Sequence, residues 1–118
     1  MTNGNLLTRI AQIIYDKKGS NTLTLDVRGH SNITDYVIIA EGNIDRHVVA
    51  IGRAIIDELE KEGIRVPFTD GLQSGDWVVL DLVGVMVHLF TPSLREKYAL
   101  HKLWPQSEIV DLEVKVTN

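Results

Sequence analysis

The segment Gly75-Asp76-Trp77-Val78-Val79-Leu80-Asp81-Leu82-Val83-Gly84-Val85-Met86-Val87-His88-Leu89-Phe90 constrains the rest of the chain most. It is rich in β-branched and aromatic residues, which favour strand over helix. Gly84 interrupts it, so the segment predicts two strands joined by a tight turn at Val83-Gly84. In that register Leu82 faces Val85, Leu80 faces Val87 and Val78 faces Leu89. The period of two places these aliphatic residues on one side. It places Trp77, Val79, Asp81, Met86, His88 and Phe90 on the other. Cross-strand pairing sets Trp77 opposite Phe90 and Val79 opposite His88. The first side is a core face. The second mixes large rings, a carboxylate and an imidazole, and it admits two readings. A ring-rich face with few charges is what a protein-binding surface looks like. Alternatively, a helix of the same domain covers it, since buried aromatics are ordinary.

The remaining segments supply the layers around this hairpin. Leu6, Leu7, Ile10, Ile13 and Ile14 recur at helical spacing and predict an amphipathic helix over about residues 5–18. Lys17 and Lys18 suit its negative end, and Gly19 its stop. Thr22–Arg28 alternates, with Leu23, Leu25 and Val27 on one side of a half-buried strand. A turn follows over Gly29–Asn32. Asp35–Glu41 is apolar on both sides, which predicts a central strand. Asn43 is placed to cap a second helix, and Asp45 suits its first turn. Val48, Ile51, Ile55 and Leu59 form the buried stripe of that helix, Gly63 ends it, and Gly52 marks close packing against a strand. Ile64–Phe68 reads as a short strand and Thr69–Ser74 as a loop. Thr91-Pro92 opens a third helix, with Leu94, Tyr98 and Leu100 inward. Leu103-Trp104 closes the compact part, and Pro105 ends it. The expected organisation is one α/β (α+β) domain over residues 1–105. It has a mixed parallel and antiparallel sheet with helices packed on it. Residues 106–118 form a tail without an assigned role, in which Ile109–Val116 is an edge strand or disordered.

Composition narrows the function. Twelve Lys and Arg against sixteen Asp and Glu leave a net charge of −4. That balance disfavours direct nucleic-acid binding, whose affinity comes largely from phosphate neutralisation, and favours a basic partner. No cysteine is present, so disulfides and thiolate metal sites are excluded. No apolar run approaches the roughly 18 residues of a membrane span, and no basic-then-apolar leader is seen. A cytoplasmic location is the simplest expectation. His30, His47, His88 and His101 include no pair at the i,i+4 spacing of helical metal ligands. Arg46-His47, at the start of the second helix, fits a capped helix end better than an anion site, because Asp45 lies beside it. No nucleophile, base and orienting group appear together. The residues therefore predict neither an enzyme nor a cofactor or metal requirement.

Several stretches together resemble the ribosomal silencing factor family, the RsfS and Iojap-related proteins. They are Leu25-Asp26-Val27, Thr34-Asp35-Tyr36-Val37-Ile38, and Gly42 followed by Asp45-Arg46-His47-Val48. Asp76-Trp77-Val78-Val79-Leu80-Asp81 and Val85-Met86-Val87-His88-Leu89-Phe90 follow, and then Arg95-Glu96-Lys97-Tyr98 leading to Leu103-Trp104. Order and spacing match over about residues 5–104. The resemblance implies a nucleotidyltransferase-like fold and a cytoplasmic factor that binds the large ribosomal subunit through its protein L-fourteen. Binding there blocks joining of the small subunit and represses translation when nutrients are short. Some members form homodimers, and organellar relatives act in large-subunit assembly, which is the alternative function. The other alternative is an enzyme of nucleotidyltransferase type. That chemistry needs a Gly-Ser phosphate loop followed by carboxylates at i and i+2. Gly19-Ser20 is followed by no such pair, and Asp26, Asp35 and Asp81 are single acids on three separate strands. The expected partner contacts are Trp77, Asp81, His88 and Phe90, extended by Arg95 and Tyr98. Two features depart from the family pattern. Gly-Asp is usual where this chain has Val83-Gly84, and a β-branched residue at positive φ predicts a turn of another type. The tail beyond Pro105 matches nothing in the pattern.

Overall fold

The computed structural model describes residues 3–116. The chain runs α1 (Asn3–Asp16), β1 (Ser20–Asp26), β2 (Tyr36–Glu41), α2 (Asp45–Lys61), β3 (Phe68–Asp70), β4 (Trp77–Asp81), β5 (Val85–Phe90) and α3 (Pro92–Tyr98). A 3-10 turn (Leu100–Leu103) and a short β6 (Glu108–Ile109) follow. The strands form one sheet in the order β3-β4-β5-β2-β1-β6. β2 and β5 are parallel and the other neighbours antiparallel, so the sheet is mixed. The parallel pair arises because the chain crosses over through α2 between them.

Alternation sorts the strand residues to two faces. Ile38, Ala40, Val78, Leu80, Val87 and Leu89 pack under Leu7, Ile10 and Ile14 of α1 and Val48, Ile51, Ile55 and Leu59 of α2. Leu25, Val27, Val37, Ile39 and Phe90 form a second cluster on the opposite face, against Leu94, Leu100 and Trp104. β2 therefore has both faces covered, as its continuous apolar run predicts. α2 approaches the sheet closely at Gly52, where a Cβ would stand 3.2 Å from Val78 and 3.3 Å from Leu72.

The hairpin has the expected register, with Trp77 opposite Phe90, Val78 opposite Leu89 and Leu80 opposite Val87. Its turn differs from expectation. Val83 and Gly84 both adopt positive φ, 59° and 93°, which is the two-residue type I′ arrangement. The left-handed conformation costs Val83 roughly 1–2 kcal/mol. Three bonds hold it there. Asp81 Oδ1 accepts the Val83 N–H at 3.1 Å. The Gly84 carbonyl accepts N–H groups from Asp35 and Tyr36 at 3.2 and 3.0 Å, fixing the tip to the start of β2.

Local boundaries also move. α1 ends at Asp16, two residues earlier than its sequence pattern suggests. α2 starts at Asp45 behind Ile44, so Asn43 is not its cap. Instead the Asn43 N–H donates to His47 Nδ1 at 2.9 Å, and His47 Nε2 meets the Lys17 carbonyl at 2.7 Å. His47 thus ties the start of α2 to the end of α1. The strand expected at Ile64–Phe68 is Phe68–Asp70. Pro67 has no N–H for a ladder, so pairing begins after it. The tail adds β6 to the edge of β1 and then crosses to α1. There the Gln12 amide bonds the Lys115 backbone N–H and carbonyl at 2.7 and 3.1 Å, and Leu112 packs against the core.

Candidate partner-binding face

The face of β4 and β5 that carries the rings is covered along only part of its width. α3 and the chain after it roof the part above β1, β2 and the end of β5. Val79, Asp81 and Met86, nearer the β3 edge, remain half-exposed. β3 brings Phe68 opposite Asp81, and Phe68 is 65% exposed. One part of this face is covered by its own chain and the other part is open.

Trp77 sits at the boundary. Its ring lies 5.0 Å from that of Phe90 and 4.8 Å from that of Tyr98. It is half-buried, packed along one side and open along the other. Its indole Nε1–H donates to His88 Nδ1 at 3.2 Å. His88 is diagonal to Trp77 across the β4–β5 pair, within reach of a long ring. The imidazole stacks parallel to Phe90, 6.2 Å between centroids and 10° between planes. Burial pushes its pKa down to about 4. His88 is therefore neutral at pH 7, and with Nδ1 accepting, its proton is on Nε2.

The other expected contacts separate. Asp81 is half-exposed and holds the hairpin turn through Val83. Tyr98 is exposed at the rim rather than inward, with the Lys97 ammonium 5.5 Å from its ring centre. Phe90 is a correction: it is fully buried, because Leu94 and Trp104 close over it. His88 too is largely beneath the surface, at 8% exposure. Arg95 is a second correction. It turns inward, pairing with Glu41 Oε2 at 3.0 Å and donating to the Asn21 carbonyl. Asn21 Nδ2 completes the network on Glu41 Oε1 at 3.1 Å. Arg95 and Glu41 are both shielded from water, so the guanidinium anchors α3 to the sheet. Phe68 was not anticipated. A three-residue strand after Pro67 is too short to show a period, so its face is not readable from sequence.

Asp26, Asp35 and Asp81 form no metal-binding group. Asp26 is paired with Arg28 at 2.7 Å, and that guanidinium holds its carboxyl below the usual range. Among the described residues no group of three or more His, Asp or Glu is disposed to hold a metal ion. No helix among them is long and apolar enough to cross a membrane.

Fold and face together define a small α/β protein with the exposed rings of Phe68 and Tyr98 on one side of its sheet, the setting of a binding protein. The comparisons narrow that class. The family model described as "Ribosomal silencing factor during starvation" matches residues 2–118, tail included. The Bacillus subtilis ribosomal silencing factor RsfS is 37% identical over 113 residues, 96% of this chain and 96% of that protein. The Haemophilus influenzae RsfS is 40% identical over 87 residues, 74% of this chain and 85% of that protein. A crystal structure of a Chromobacterium violaceum protein superposes with a TM-score of 0.86 at 25% identity, covering 98% of this chain and 95% of that one. This chain belongs to the ribosomal silencing factor family, the RsfS and Iojap-related proteins, which are non-enzymatic ribosome-binding factors.

Proposed function

We propose that this chain docks on the large-subunit ribosomal protein L-fourteen through the open half of its sheet and thereby blocks joining of the small subunit. It acts in the cytoplasm and represses translation when nutrients are short. The observation that carries this reading is the open part of the face, running from Trp77 and Tyr98 at one end to Asp81 and the exposed Phe68 at the other, on a chain of this family. Exposed aromatic anchors on a rigid element are the usual source of binding energy. Asp70 and Asp81 flank the rings and the net charge is −4, which suits a basic ribosomal protein.

Sucrose-gradient co-sedimentation tests the reading. The protein should travel with isolated large subunits and not with joined ribosomes, because the docking surface is hidden at the subunit joint. Equal binding to both particles overturns it. Trp77→Ala should weaken binding to purified L-fourteen by about 2 kcal/mol or more. Its packing against Phe90 and Tyr98 means it should also lose about 1–3 kcal/mol of stability, so affinity is read well below the melting temperature.

A further inference from the structure

Among the expected contact residues, His88 has a geometry that suits a different task. At 8% exposure it offers a partner almost no surface. Its ring stacks on the fully buried Phe90, and its Nδ1 accepts the indole N–H of Trp77 at 3.2 Å. Its strand neighbours are Val79 on β4 and the buried Ile39 on β2, so the imidazole is closed in on both sides. An indole N–H is a donor only. Half-buried, it loses free energy in any orientation that leaves it without an acceptor. The ring of Trp77 can turn over about its side-chain bonds, and the orientation it adopts brings Nε1 to His88.

We infer that His88 is a positioning residue: it fixes the orientation of the Trp77 indole for the partner and does not touch the partner itself. The inference rests on the reading of Trp77 as the docking anchor. Its physical benefit is preorganisation, since an indole already fixed loses less rotamer freedom on binding. It also explains a buried polar ring behind an aromatic strip where an aliphatic side chain would pack without needing a hydrogen bond.

The test compares His88→Leu and His88→Asn. Leu fills similar volume without an acceptor. Asn places its Oδ1 near the position of the imidazole Nδ1 and can accept the same N–H. Each protein is 15N-labelled, and the Trp77 indole N–H resonance is identified by its loss in Trp77→Ala. Affinity for purified L-fourteen is then measured. In His88→Leu the indole resonance should move and affinity should fall about tenfold, or about 1.4 kcal/mol. In His88→Asn the resonance should return towards its original position and affinity should recover to within about threefold. Wild-type affinity in His88→Leu, with Trp77→Ala weakened, overturns the inference and leaves the docking reading standing. Equal weakening in both His88 variants, with the indole signal restored only by Asn, means His88 contacts the partner directly and likewise overturns it. Failure of the wild type to bind overturns the docking reading and this inference with it.

Discussion

The imidazole of His88 links the aromatic strip to the stability of the fold. Its pKa in the folded protein is about 4, against an ordinary value near 6.5, and burial is the cause. Between those values the unfolded chain binds the proton and the folded one does not. Stability is therefore fully present above about pH 6.5 and is lost as pH falls towards 4. At 1.36 kcal/mol per pKa unit the loss reaches at most about 3 kcal/mol. Denaturant unfolding at pH 7, 6, 5 and 4.5 should show this decline in the wild type and a flatter profile in His88→Asn. Parallel profiles would mean that His88 is not the group titrating. The sequence placed His88 on the correct side of its strand, because alternation alone decides that. Its burial was not readable, since it depends on Phe90, Ile39 and Val79 meeting around it.

At the scale of the element, the hairpin is the part the sequence determined most fully. Its aliphatic residues alternate without interruption on one side, so a slip by one residue would expose all of them. The turn was not determined in the same way, because Val83 is a poor residue for its conformation. Val83→Asn tests that account. Asn tolerates positive φ, and Asn-Gly is the favoured type I′ pair. The variant should gain about 1 kcal/mol of stability, seen as a higher denaturant midpoint with unchanged slope. No gain would mean that Val83 relieves its strain elsewhere. α3 shows the opposite case. Its start at Thr91-Pro92 was readable, but the sequence groups Arg95 with the partner contacts beside the rings. Glu41, 54 residues away, draws it inward, and no local pattern announces that pairing.

Across the whole molecule, the tail is what completes the sheet. β6 covers the outer edge of β1, and Gln12 grips the backbone at Lys115 on the far side of α1. Ending the chain after Pro105 would remove the β6 ladder, the Val110-to-Thr24 bond and the Leu112 packing. It should cost about 2–3 kcal/mol, from one partly buried leucine and a few hydrogen bonds. It also bares the edge of β1, which favours pairing between copies. A thermal melt and size-exclusion chromatography check both effects. An unchanged melt with a monomeric profile would mean that the tail only rests on the surface.

The sequence by itself determined the secondary elements of the core, the register of the hairpin, the two-sidedness of β2 and the family. Those follow from periodicity and from motifs spaced along one chain, which are local information. Tertiary structure decided which part of the ring-bearing face is open. It brought α3 and Trp104 down over Phe90, drew Arg95 to Glu41, and set Phe68 on the edge strand beside Asp81. Periodicity states which side of a strand a residue lies on. What covers that side depends on packing between segments far apart in sequence, where burial of apolar area and pairing of buried charge select the arrangement.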